Sequence, residues 1–257
     1  MKRLFFFIVI LSCCSFVFAQ QQTSNNNKKS DNKTSDENNQ LFFGVNVGPT
    51  VDWFAPTTKD FELTREKTKV GFIAGVSIDV NLTKGRFFYF SSGLFVRYLQ
   101  GELAFENRYT LNNFFFMDTS LVIPTVRTYQ TMYLTIPTGI KFRTRPSRGC
   151  VFVGKLGLYH NFRVGGEQFD SFSSPGEDPD FFITTKKVRN SDAALFAETG
   201  YVGLGFEYIL RDNIRVFINT DYSCQFNYFS PKVKNNVADA RFRSIVHSLH
   251  IVFGVLF

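Results

Sequence analysis

Three histidines stand in the chain, His160, His247 and His250, and each is a potential base, proton shuttle or metal ligand. Asp170, Ser171, Ser173 and Ser174 lie close together in sequence. Beside His160 or His247 they would supply a hydroxyl nucleophile and an orienting carboxylate. Nothing in the spacing fixes any of them relative to a histidine, and a solvated loop uses the same residue types. Glu177-Asp178-Pro179-Asp180 would hold a hard cation weakly, but an acidic turn explains it as well. Gly200-x-x-Gly203-x-Gly205 has the glycine spacing of a nucleotide loop, yet it sits among Val202, Leu204 and Phe206 rather than at a strand-to-helix turn. No catalytic, cofactor or metal set is therefore expected, and the chain reads as non-enzymatic.

A second set of polar residues has a clearer pattern. Asp79, Arg97, Lys141, Lys155, Glu207, Arg215 and Asp221 each fall between apolar residues at alternate positions, in company with Gly75, Gly93, Gly139, Gly157, Gly203 and Gly205. The partner rows are apolar, largely aromatic and nearly free of charge: Phe43, Val45 and Val47; Val70 to Val80; Phe88 to Tyr98; Met132 to Phe142. Phe152, Leu156 and Leu158 follow, then Val202 to Tyr208, then Ile214 to Ile218. Period two is the signature of strands. A soluble barrel would point its apolar row inward. Rows this aromatic and uncharged, with glycines making room among mixed charges opposite, fit the reverse arrangement. The seven charged residues then form an interior salt-bridge network beside Tyr89, Phe95 and Phe217, and His250 joins that face as a hydrogen-bonded core histidine.

These positions demand eight strands, at about 42–51, 70–80, 87–99, 131–143, 150–160, 195–209, 213–223 and 246–257. The connections between them alternate in length. Residues 52–69, 100–130, 161–194 and 224–245 are long, while 81–86, 144–149 and 210–212 are short. Sorting loops by length onto two ends is how outer-membrane barrels are built. The expected fold is thus an all-β, eight-stranded antiparallel up-and-down transmembrane barrel, with short periplasmic turns and long external loops. Eight strands enclose only enough space for side chains. Basic turns at Lys84, Arg86, Arg145 and Arg148 would face lipid phosphates on the short-turn side.

Both ends of the chain agree. Lys2 and Arg3 precede an apolar run from Leu4 to Phe18 that closes on Val17-Phe18-Ala19, the pattern of a secretory signal peptide over 1–19. Ile10-Leu11-Ser12-Cys13 offers a second processing site, which would leave Cys13 lipidated. Residues 20–40 contain no apolar side chain and form a periplasmic leash ahead of the barrel at 41–257. Removing Lys2 and Arg3 takes the formal charge from +7 to +5, a mild excess that does not point to nucleic acid. Leu249, Ile251, Phe253, Val255 and Phe257 form the last apolar row and end on an aromatic. That row is expected to act as an assembly signal read by the barrel-assembly machinery. Both termini would be periplasmic, in the cell outer membrane.

Three stretches carry a family likeness: Phe42-Phe43-Gly44-Val45-Asn46-Val47-Gly48-Pro49, Ser92-Gly93-Leu94-Phe95-Val96-Arg97-Tyr98, and Tyr133-Leu134-Thr135-Ile136-Pro137-Thr138-Gly139-Ile140-Lys141-Phe142. With the signal ending in Ala-Gln and the leash, they resemble the PorT-like outer-membrane β-barrel family of Bacteroidetes-type bacteria over roughly residues 42–257. The resemblance implies a cofactor-free barrel and a link to secretion of surface proteins. The expected function is a structural or interaction barrel with partners among outer-membrane lipids and proteins of the periplasm or cell surface. A small transport barrel or a lipid-acting enzyme is the alternative.

Overall fold

The computed structural model describes residues 41–57, 64–65, 67–83, 87–112, 118–173, 182–184, 188–189, 193–211, 214–229 and 243–257. The signal and leash segments, Lys84, Arg86, Ser174 and Glu177 to Asp180 lie outside the described residues. Eight long strands dominate: β1 (Leu41–Pro56), β3 (Lys69–Asn81), β4 (Phe88–Asn112), β5 (Asp118–Arg143), β6 (Cys150–Ser173), β9 (Phe196–Arg211), β10 (Ile214–Gln225) and β11 (Ser244–Leu256). Three short ones join their margins, β2 (Thr64–Arg65) on β4, and β7 (Phe182–Thr184) and β8 (Val188–Arg189) on β6.

The long strands pair antiparallel in the order β1-β3-β4-β5-β6-β9-β10-β11, and β11 pairs back onto β1, so the sheet is a closed eight-stranded barrel. Closure leaves no edge in the wall, which a lipid setting requires of every backbone polar group. Following one register row from Phe88 through Phe142, Gly154, Leu204, Thr220 and Ile251, then across to Pro49 in the register set by Val47–Phe253 and Thr50–His250, and on through Phe72, arrives at Tyr98, ten residues further along β4. That stagger tilts the strands to about 40°. The β1–β11 ladder skips Gly48 and Pro49, where proline has no N–H to give.

The tight connections, 82–87, 144–149 and 212–213, share one end with Leu41 and Phe257. Arg148 and Gly149 turn the β5–β6 hairpin with φ of 50° and 83°, and Ser147 and Cys150 exchange backbone hydrogen bonds of 2.8 and 2.9 Å across it. Two successive positive φ values mark the hairpin turn whose twist suits the flanking strands.

The other end differs from expectation. Residues 100–130 and 161–194 are largely strand, because β4, β5 and β6 run on past the barrel as a continuous sheet. Asp170, Ser171 and Ser173 accordingly lie in β6 and not in a loop. A register shift beside Met132 and Tyr133 marks the junction, where a bulge bends the sheet. The extension leans over the barrel mouth. Phe54 lies so close to Gly101 that a Cβ there would meet its ring at 1.7 Å.

Outward positions are uncharged and mostly apolar on every strand over about ten residues, roughly 25 Å of height at this tilt. From Leu41 to Val51, Val70 to Val80, Phe88 to Tyr98, Met132 to Phe142, Phe152 to Leu158, Val202 to Leu210, Ile214 to Tyr222 and Leu249 to Phe257, no outward residue is charged. Aromatic pairs mark the lower margin (Phe88–Phe142, Phe152–Phe206) and the upper one (Phe72–Tyr98, Phe162–Phe196).

Cys150 and Cys224 are both free. They flank β9 opposite Tyr208 and Gly200, eight residues apart on that strand, or about 26 Å. A disulfide needs Cα atoms within about 7 Å. Both thiols should therefore react fully with a maleimide after unfolding without reductant. Recovery of a Cys150–Cys224 linked peptide by mass spectrometry would contradict the register.

Candidate functional site

Inward side chains stack in tiers along the barrel axis. Nearest the tight-turn end, Lys141 Nζ lies 2.6 Å from Asp79 Oδ2 and 3.5 Å from Glu207 Oε1. Arg143 bridges the same acids, with Nη2 2.8 Å from Asp79 and Nε 2.9 Å from Glu207, and Arg215 Nη1 reaches Glu207 at 3.3 Å. Glycines leave the room. Gly139 and Gly157 lie under the Tyr201 hydroxyl, where an added Cβ would come within 2.5 and 2.8 Å.

The middle tier holds Lys155 and Asp221 at 2.7 Å, with the Tyr159 hydroxyl donating to the same carboxylate at 3.2 Å. His250 is fully buried and contacts Ser223 Oγ at 2.9 Å. Above it Arg97 pairs with Asp52 at 2.8 Å, Ser248 binds Arg97, and the Thr50 hydroxyl donates to Asp52 at 3.0 Å. The structure thus brings Asp79, Lys141, Glu207 and Arg215 into one cluster, Lys155 and Asp221 into a second, and Arg97 into a third. Asp52 and Arg143 were not among the residues singled out from sequence. Both carry the same period-two signal, two positions beyond Thr50 and Lys141, but sit at the margins of the expected strands.

Apolar side chains close the lumen above these tiers and fill it among the lower ones. Phe42, Tyr89, Phe95, Phe217, Val252, Ile73 and Leu256 form the lower cluster. The Arg143 guanidinium sits 4.1 Å over the Tyr89 ring and Arg215 sits 4.5 Å over Phe42, so cations also pack on the plug's π-faces. The upper cluster joins Phe54, Leu99, Leu103, Phe105, Tyr129, Tyr133, Ala193, Phe229 and Val246. Phe54, Phe229 and Tyr129 meet there as a triangle with centroids 4.7, 5.2 and 5.8 Å apart.

Two small voids adjoin these clusters among the described residues. One of about 50 Å³ is lined in part by Asn46, Asn219, Asp221, Lys141 and Lys155, and one of about 10 Å³ by Arg97, Tyr133 and Asn161. Asn46 Nδ2, Asn219 Oδ1, Arg97 Nε and the Tyr133 hydroxyl are buried without a protein partner. The larger polar void suits a few waters and the smaller at most one. They are not a path for solutes.

Beyond the lipid band, Arg127 forks onto Asp170 through Nε at 2.6 Å and Nη2 at 2.8 Å. Burial alone would lower the Arg127 pKa, but the Asp170 hydrogen bond raises it above the usual guanidinium range. Lys69 meets Glu102 at 2.7 Å.

The candidate nucleophile set does not assemble. Asp170 is engaged by Arg127, and it stands ten residues from His160 along β6, on the order of 33 Å. His160 faces outward, with Nε2 3.0 Å from Thr138 Oγ1 and Nδ1 3.7 Å from Glu198. His247 also faces outward, against Tyr222 and Trp53. Among the described residues no three His, Cys, Asp or Glu side chains gather as a metal site. Leu249, Ile251, Phe253, Val255 and Phe257 lie in one outward row, and Phe257 exchanges backbone hydrogen bonds of 2.8 and 2.9 Å with Phe43.

A family model described as an outer membrane protein beta-barrel domain matches residues 18–229. Among solved structures, the chain is similar to Ail, the attachment invasion locus protein of Yersinia pestis, at 14% identity over 85% of this chain and 99% of that one, with a TM-score of 0.33. Neisserial surface protein A matches at 12% identity over 83% and 95%, TM-score 0.35. The outer membrane protease OmpT of Escherichia coli matches at 8% over 89% and 99%, TM-score 0.32. No curated protein matches the chain.

Removing one partner of a buried pair leaves a charge without water or counter-ion, at about 3–5 kcal/mol. Arg97→Met alone should cost about that much in urea-induced unfolding. Arg97→Met with Asp52→Leu should recover most of the loss. A double variant no more stable than the single one would show that the pair is not an isolated unit.

Proposed function

We propose that this chain, which belongs to the outer membrane protein beta-barrel domain family, is a closed, non-enzymatic barrel that acts through the surfaces it presents on either side of the membrane. The observation that carries this reading is the lumen, where among the described residues paired charges and two apolar clusters fill the space, beside voids of about 50 and 10 Å³. Passage of a solute would require breaking buried ion pairs and displacing a plug. What is left for function is the β4–β5–β6 extension on one side, and the tight turns and leash on the other. Export by the 1–19 signal, residues 20–40 as a periplasmic leash and both termini in the periplasm belong to the same proposal. So do contacts with outer-membrane lipids and with protein partners. A link to secretion of surface proteins is what the PorT-like likeness of the phrases in β1, β4 and β5 implies, and the extension would be its outward contact surface.

In planar bilayers the purified monomer should give no stable conductance. Steady, size-selective conductance would overturn the reading in favour of transport.

The row ending at Phe257 is proposed as the assembly address. Phe257→Ser should lower the amount of heat-modifiable barrel in the outer membrane several-fold while export across the inner membrane continues. Equal amounts in variant and parent would count against it.

A further inference from the structure

Three aromatic side chains from three adjacent strands meet on the outer wall. Trp53 of β1, His247 of β11 and Tyr222 of β10 continue the outward rows that carry Val51, Leu249 and Thr220. The Trp53 and His247 ring planes differ by 10° with centroids 5.8 Å apart, and those of Tyr222 and His247 differ by 26° at 6.1 Å. Trp53 and Tyr222 are 6.3 Å apart. A 2.7 Å hydrogen bond between the Tyr222 hydroxyl and His247 Nδ1 fixes two rings edge to edge. Tyr222 is 41% exposed, so the shelf is open to what surrounds the barrel.

Its level identifies that surrounding. The three rows begin at Leu41, Phe257 and Ile214 on the tight-turn end and run apolar to the shelf. The shelf therefore sits at the upper margin of the lipid band, where acyl chains give way to headgroups. Arg243 is exposed two outward positions further along the β11 line, its guanidinium 5.2 Å over the Tyr228 ring. Four residues of extended chain separate Arg243 from His247, roughly 13 Å.

An ordinary aromatic belt needs only amphipathic rings, each oriented for itself. Near-parallel rings locked by a hydrogen bond offer more: a flat apolar face with polar edges, below a cation. A pyranose matches it, since its C–H face packs on aromatic rings while its hydroxyls meet ring-edge donors and acceptors. A phosphate on the sugar matches Arg243. We propose that Trp53, His247, Tyr222 and Arg243 form a binding site for the phosphorylated sugar headgroup of a glycolipid in the outer leaflet. The proposal rests on the outer-membrane placement but not on the closed lumen, and ligand binding and conductance test them separately.

Trp53 is the single tryptophan of the chain, so the emission of the full-length protein in detergent reports on the shelf directly. The probes are a glycolipid with a phosphorylated disaccharide headgroup, phosphatidylglycerol with matched acyl chains, and the deacylated headgroup in solution. The glycolipid should give a saturable change in emission that neither control gives at the same concentration. His247→Ala and Arg243→Gln should each weaken it by about tenfold, and His247→Phe should restore part of the His247→Ala loss. Arg243 pairs with Thr57 through its backbone carbonyl and its side chain is exposed, so Arg243→Gln keeps the test decisive if His247→Ala fails to fold. An equal response to phosphatidylglycerol would reduce the shelf to a general interfacial belt and overturn the proposal. So would an undiminished response in Arg243→Gln, or an equal response to the soluble headgroup.

Discussion

A side chain on this wall has two places to go, lipid or lumen, and period two decides which. The closed sheet satisfies the backbone on its own, so the two faces are free to differ completely. Charges on the lipid face near the midplane cost about 2–4 kcal/mol each, and the wall has none there. Every charged residue within the lipid band is pushed inward, into a space that eight strands leave too narrow for bulk water. Once inside, each must find a partner. The five bases Arg97, Lys141, Arg143, Lys155 and Arg215 face the four acids Asp52, Asp79, Glu207 and Asp221 for this reason. The glycines follow in turn, since Tyr201 and Phe95 need the volume that Gly139, Gly157, Gly75 and Gly93 vacate.

The strand rows were legible because one face of each is in lipid. Phe43, Val45 and Val47 alternate with Gly44 and Asn46 as cleanly in the sequence as in the structure. The extension was not legible, and burial explains why. Gly101, Glu102 and Leu103 are all buried, as are Thr128 and Tyr129, because this part of the sheet is covered on both faces at once. Period two vanishes where the medium no longer differs between faces. Residues 100–130 therefore read as a loop although they form a hairpin.

The site shows the same boundary effect. Asp52 and Arg143 share the phase of the inward residues, but each sits at a strand margin. Asp52 lies one residue past the expected end at 51, and Arg143 is the last residue of its expected strand, with Thr144 and Arg145 after it. A charge at a strand end reads as part of the adjoining turn. Partner choice was out of reach as well, because Arg97 and Asp52 come from strands that both pair with β3 and not with each other, and they meet only through the stagger of the rows. Asp170 gave the opposite error. Its composition suggested a solvated loop, whereas the cross-strand position opposite Arg127 makes it a structural counter-ion.

Unequal strand length ties the plug to the surface. β4, β5 and β6 have 25, 26 and 24 residues, against 12 and 13 for β10 and β11 on the far side. A sheet that rises on one side only must leave its inner face open to water or lean across the mouth. Leu103, Phe105 and Tyr129 on that face and Phe229 and Val246 from the short side settle the matter by burying one another. The upper plug and the base of the extension are therefore one hydrophobic core. Opening the lumen would strip apolar surface from the element that faces outward, at about 25 cal/mol for each Å² exposed. A barrel built this way keeps its outward surface ordered by remaining closed.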